Sequence, residues 1–174
     1  DSGEAFFAAS GSNLRVFRSG SYFLVSGGMK SRLLSKSTST LLPIIQGKET
    51  TGANSIDIYD NGNPDYPGKR MIVVGGDFNA PASIDRNCFY TTNGGKSWKA
   101  PKTPPHGYRS SVEYLSQKDI VSCGLNGIDY SNDGGKTWRW ISKESFNVCR
   151  IARNGSAFFL AGSNGKVARL NWDY

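Results

Sequence analysis

Residues 90–98 (YTTNGGKSW) and 130–138 (YSNDGGKTW) match in kind at almost every position and stand forty residues apart. Around the second box run SSVEYL, DIVSCG, GIDYS and TWRWIS, four short strands parted by turns over residues 110–142. A longer copy precedes it: NSIDIYD, RMIVVGG, NCFYTT and SWKA, with insertions at 61–69 and 78–85. After it come FNVCRIA, SAFFLAG and KVARLNW, and no fourth strand. At the front, NLRVFR, SYFLVSGG, SRLLSKS and TLLPII keep the rhythm without the box. The second strands are continuously apolar and the third alternate, as expected for inner and outer positions in stacked sheets. Four strands per period of about forty is the pattern of propeller blades.

The sequence therefore predicts an all-β chain, residues 1–174 forming one β-propeller or partial propeller of four-stranded antiparallel blades. The blades fall at about 13–47, 54–100, 108–142 and 147–172. Residues 3–10 form an apolar strand with no partner in the first blade. An unpaired edge is a hazard that native proteins cover, so this strand is expected to close the last blade, in this chain or in a neighbouring copy. The incomplete blades also offer a route to self-association.

Each box is accounted for by turn chemistry. Ser131, Asp133, Gly135, Thr137 and Trp138 correspond to Thr91, Asn93, Gly95, Ser97 and Trp98. Asp and Asn oxygens accept hydrogen bonds from nearby backbone N–H groups, glycine supplies positive φ, and tryptophan leaves the turn as an apolar plate. A calcium loop would want a further acid where Lys136 stands, and a phosphate loop would want a following helix where Arg139-Trp140-Ile141 reads as a strand. The boxes are expected to be structural corners, with no metal and no cofactor.

Composition narrows the function. The 174 residues suffice for one domain with a real core, and no run approaches the roughly 18 apolar residues of a membrane span. Net charge is +7, but the 21 basic residues are spread along the chain among 14 acidic ones. Only Arg15, Arg18, Lys30, Arg32 and Lys36 form an unbalanced run, and no nucleic-acid-binding motif accompanies it, so nucleic acid is not the expected partner. Cys88, Cys123 and Cys149 are widely spaced and lie in apolar runs, which reads as buried thiols. One bridge among them is open, with nothing to select the pair. His106, the single histidine, lies in a Pro-rich loop far from a nucleophile in sequence.

The box pattern, Ser/Thr-x-Asp/Asn-x-Gly-x-Thr/Ser-Trp, resembles the Asp box (bacterial neuraminidase repeat) of sialidases and of many non-enzymatic propellers. GEAFFAASGSNL, MIVVGGDF, PPHGYRSSVEYL, GLNGIDYSNDGGKTW and GSNGKVARL resemble, in order, the C-terminal half of bacterial proteins related to the photosystem II stability/assembly factor. That resemblance implies a secreted or periplasmic seven-bladed propeller about twice this length. It says little about activity; the function expected here is a non-catalytic extracytoplasmic binding or assembly scaffold, the alternatives being a sialidase-like glycoside hydrolase and a purely structural half-domain. This chain lacks the N-terminal arginine motif of sialidases.

In a propeller the first strand of each blade lines the central channel, which makes Arg15, Asp57, Arg109 and Arg150 the ligand-binding candidates, with Tyr108 and Glu113 beside them. Arg15, Arg109 and Arg150 are expected to form a funnel for a protein partner or an anionic or glycan ligand, since guanidinium groups grip carboxylate and phosphate by forked hydrogen bonds. The competing reading is that these groups face channel water or pair with Asp57 and Glu113.

Overall fold

The computed structural model describes residues 1–17, 20–59, 68–154 and 156–171, and its backbone pairing follows the repeat. The insertion expected at 61–69 lies outside the described residues through residue 67, as do Arg18 of the basic run and Trp172 at the end of the last unit.

The chain begins with β1 (Glu4–Ala5), β2 (Leu14–Val16), β3 (Tyr22–Val25), β4 (Gly27–Gly28), β5 (Arg32–Leu34) and β6 (Ser39–Leu41). Two longer strands follow, β7 (Thr51–Tyr59) and β8 (Arg70–Asp77), and then β9 (Cys88–Thr91). The third unit is β10 (Ser111–Tyr114), β11 (Ile120–Gly124), β12 (Gly127–Ser131) and β13 (Arg139–Ser142). The last is β14 (Val148–Ile151), β15 (Phe158–Ala161) and β16 (Val167–Leu170). They pair into four antiparallel sheets: β2-β3-β5-β6, β1-β4-β7-β8-β9, β10-β11-β12-β13 and β14-β15-β16. We number these blades 1 to 4.

The core lies between the blades. Val25 and Leu33 of blade 1 meet Ile56, Ile58, Met71 and Val73 of blade 2. The alternate residues of β8, Ile72 and Val74, face the other way onto Val112, Tyr114 and Ile120 of blade 3. Val121, Cys123 and Ile128 then meet Cys149, Phe158 and Leu160 of blade 4. The second strands of the two middle blades, β8 and β11, are thus buried almost throughout because a neighbouring blade covers each face.

The boxes lock each blade to the one before. Asp133 Oδ1 accepts from Ser131 Oγ (2.9 Å) and the amides of Lys136 (2.9 Å) and Thr137 (3.0 Å), and its Oδ2 accepts from Thr137 Oγ1 (2.6 Å). Trp138 is buried among the residues joining blades 2 and 3 and donates Nε1 to the Gly135 carbonyl (3.2 Å). Gly135, at φ +86°, approaches so closely that a Cβ there would stand 2.7 Å from Ile72 Cδ1 of blade 2. In the first box, Asn93 Oδ1 accepts from Thr91 Oγ1 (2.8 Å) and the Ser97 amide (3.0 Å), and Asn93 Nδ2 donates to Ser97 Oγ (2.8 Å). Trp98 packs there on the core between blades 1 and 2, with its Nε1 left without a partner.

Burial works to raise the Asp133 carboxyl, but the hydrogen bonds from Thr137, Ser131 and Lys136 outweigh it and hold the group below its ordinary value. A lowered carboxyl contributes stability that is present above the unfolded-state value and is lost as pH falls through the folded one. Asp133→Ala is therefore expected to cost on the order of 1 kcal/mol at neutral pH, the scale of a lost capping bond. The gap to wild type should close in acid. Urea titrations at pH 7 and pH 3 measure both; a gap that widens on acidification contradicts this assignment.

Two expectations need correction, while the reading of the cysteines as buried thiols holds. Glu4–Ala5 pairs with Gly27–Gly28, and through them with Gly52 of β7, so it extends the inner edge of blade 2 and does not close blade 4. The cause is local. Side chains are missing at β4, where a Cβ on Gly28 would stand 2.2 Å from the Gly3 carbonyl, and Glu4 is anchored by Ser26 Oγ and by Arg32 Nε (2.9 Å) and Nη2. Hydrogen bonding to Arg32 brings the Glu4 carboxyl down to about 2, against the effect of burial. The fourth strand of blade 2, expected at SWKA, is reduced to a single bridge in which Tyr90 and Lys99 exchange backbone bonds (3.0 and 2.9 Å). All three cysteines are free and buried, so no bridge forms; burial raises the Cys88 and Cys123 thiols well above their ordinary value.

Candidate functional site at the blade axis

Strands β2, β7, β10 and β14 open the four repeat units, and each sends one charged residue to the same place. Arg15 Nε donates to Asp57 Oδ1 (2.7 Å) and its Nη2 to Glu113 Oε2 (2.8 Å). Arg150 Nη1 donates to that same Glu113 oxygen (2.8 Å) and to the Cys149 carbonyl (3.1 Å). Asp57 Oδ2 accepts from the Tyr114 amide (2.5 Å). The four residues hold equivalent positions: Arg15 pairs with Phe23, Asp57 with Ile72, Glu113 with Val121 and Arg150 with Phe159 across to their second strands.

Beside this quartet lies a layer of hydroxyls. Ser12 Oγ donates to Ser55 Oγ (2.7 Å), Ser55 Oγ accepts from the Val112 amide (3.0 Å), and Ser111 Oγ accepts from the Cys149 amide (3.2 Å). These serines were missed in the sequence, although Ser55-Ile56-Asp57 and Ser111-Val112-Glu113 repeat the same hydroxyl-apolar-acid triplet on equivalent strands.

The electrostatics of the quartet are unequal. Burial pulls the Arg15 guanidinium down, but the carboxylates of Asp57 and Glu113 more than offset this and raise it, so Arg15 stays charged. Glu113 is raised to about 7: burial and then the Asp57 carboxylate push it up, and Arg15 and Arg150 only partly counter them. Glu113 is thus the carboxyl of the quartet that burial and Asp57 drive towards its neutral form, and of the two arginines Arg15 is the one that also bonds Asp57. Arg150 is the most open of the four, with 35% of its side chain exposed.

Arg109 is corrected as a funnel member. It is fully buried, donating Nε (2.6 Å) and Nη2 to Asp129 Oδ2 of β12 and Nη1 to the Tyr108 carbonyl (2.8 Å) and to Asn126 Oδ1. His106 Nδ1 lies 2.9 Å from Asp129 Oδ1, and its ring stacks on Trp140 with centroids 5.1 Å apart. Tyr108 is buried as well, donating to Asn54 Oδ1 of β7 (2.8 Å), and burial raises its hydroxyl to about 12. Arg15, Asp57, Glu113 and Arg150 come together; Tyr108 and Arg109 bind blade 3 to its surroundings.

The end of the blades where the first strands begin carries exposed apolar side chains. Phe78 stands between Phe7 and Tyr108 in edge-to-face contacts of 6.0 and 6.4 Å. Phe6, Met29, Ile84, Leu125 and Trp140 are also exposed. Among the described residues no group of three or more His, Cys, Asp or Glu could hold a metal ion, and no helix is long and apolar enough to cross a membrane.

No family model and no curated protein matches the chain. Several solved structures resemble it, among them these two. YCF48 bound to D1 peptide shares 16% identity at a TM-score of 0.59, over 97% of this chain and 54% of that one. YCF48 from Cyanidioschyzon merolae shares 15% at a TM-score of 0.50, over 94% and 51%. The chain spans about half the length of these propellers. At such identity the likeness is one of fold: this is an all-β propeller chain built from about four antiparallel blades.

Proposed function

We propose that the chain is a non-catalytic, extracytoplasmic binding or assembly module that takes a segment of a protein partner, an acidic group of which is received by the axial arginines. The observation that carries this reading is the convergence of Arg15 and Arg150 on one carboxylate oxygen of Glu113. Two guanidinium groups already aimed at a single carboxylate oxygen are arranged for a ligand carboxylate that replaces it. The likeness in fold to a propeller solved with a bound peptide supports a peptide as the ligand class. The boxes are read as the structural Asp boxes of such propellers. Secretion or a periplasmic location rests on the sequence resemblance alone. A sialidase-like reading would call on three arginines for a sugar carboxylate, and Arg109 is held by Asp129.

Fluorescence anisotropy with short acidic peptides, each made with a free and an amidated C-terminus, tests this. The free acids should bind at least tenfold more tightly, a difference of about 1.4 kcal/mol. Binding should strengthen as pH falls through about 7, because protonated Glu113 releases its arginines. Arg150→Ala should abolish the preference while the melting temperature holds. No preference for free acids, or turnover of a fluorogenic sialoside by the purified chain, overturns the proposal.

A further inference from the structure

Six basic residues gather at the outer corner of the two middle blades. Lys118 stands in the β10–β11 turn, and its carbonyl accepts the Gly134 amide of the second box (2.9 Å). The Lys136 carbonyl in that box accepts the Lys102 amide (2.7 Å), and Lys99 is the residue bridged to Tyr90. Gly135 brings the box against blade 2, where a Cβ on it would stand 3.8 Å from Tyr90 Cβ. Lys96 of the first box and Arg139 at the start of β13 complete the set, and all six are exposed. The turns carrying them hold only two acids, and both are bonded within their own loops. Asp119 accepts from Tyr130 and from Ser116 Oγ (2.6 Å), and Asp133 from Thr137 and Ser131. Among the described residues none of the six bases takes part in an ion pair. Six bases against two acids leave an excess of four positive charges here, more than half of the chain's +7. Blades 2 and 3 are flanked on both sides within the chain, so blades added before or after it would leave this corner open. It lies at the far side of each sheet from the first strands that carry the axial quartet.

We propose that this corner is a docking surface for an anionic phospholipid bilayer, separate from the axial site. The chemistry of the side chains selects the partner. Five of the six are lysines, compact point charges without the fork that grips a single carboxylate or phosphate. The one arginine has its guanidinium over the Tyr130 ring (5.6 Å). Trp98 and Trp138 pack onto the core, so the tryptophans of the corner offer no plate on which bases could stack. Non-directional charges on the bends of adjacent hairpins suit a layer of lipid phosphates, to which each lysine near the surface adds its attraction. Docking there leaves the axial quartet free for its own ligand.

Flotation of the purified protein with phosphatidylcholine vesicles, with and without about one-third phosphatidylglycerol, tests this. At low salt binding should be about tenfold tighter to the anionic vesicles, and it should vanish at about 0.5 M salt, where the charges are screened. Lys118→Glu/Lys136→Glu should weaken it about tenfold, and Lys118→Gln/Lys136→Gln by less. Lys48→Glu/Lys143→Glu makes the same change in net charge on the links between blades, and should retain most of the binding. All four lysines are exposed, and the melting temperature checks each fold. No preference for anionic vesicles, equal losses in the two reversal variants, or tighter binding to a single-stranded oligonucleotide than to the vesicles overturns the proposal.

Discussion

Asp129→Ala is expected to lower stability by about 3–5 kcal/mol, the loss found when one partner of a buried ion pair is removed. Asp129 and Arg109 are both wholly buried, and the carboxylate accepts from Arg109 Nε and Nη2 and from the His106 amide (3.2 Å). Removing it leaves a guanidinium sealed in blade 3 with only the Tyr108 carbonyl and Asn126 for company. The double variant Asp129→Leu/Arg109→Met removes both charges, and should recover much of the loss. Urea midpoints for the single and double variants measure it. A single variant within 1 kcal/mol of wild type, or a double variant worse than the single, would refute the account.

Trp138→Ala should cost a comparable amount, about 3–5 kcal/mol for a large buried aromatic side chain. Its indole fills the space between blades 2 and 3 against Ile72, Val74 and Ile120, and its Nε1 is satisfied by the Gly135 carbonyl. Trp98→Ala, at the same place in the first box, should cost less, because that ring is only partly buried and its Nε1 has no partner. Chemical denaturation of the two variants side by side tests the order; equal losses would show that the boxes do not differ in the way their burial implies.

The blades were legible because a repeat near forty residues, with turn chemistry at fixed offsets, admits few architectures. The axis was only partly legible. Arg15, Asp57, Glu113 and Arg150 could be found because each sits within a first strand, where alternation fixes the face. Arg109 misled because it precedes β10 and folds back over a hairpin that Gly124 and Gly127 keep free of side chains. The available signal was Asp129, a lone acid in the apolar run GIDYS, which demands a buried partner. The path of residues 3–10 was hidden for a different reason. An apolar strand states that it needs an edge, and two edges were open; Glu4 meeting Arg32 and Ser26 decided between them.

Neighbouring first strands are joined by more than apolar packing. The amides of Ile56, Val112, Tyr114 and Cys149 each donate backwards, to the Ser12 carbonyl (3.0 Å), Ser55 Oγ, Asp57 Oδ2 and Ser111 Oγ. No ladder within a sheet holds these four protons, so they are released only when two blades part. The chain then behaves as a row of units coupled to their nearest neighbours, in which the free energy of separating each pair adds to that of each blade. Deuterium uptake at Ile56, Val112 and Cys149 reads those separations one junction at a time, apart from the fraying of any strand.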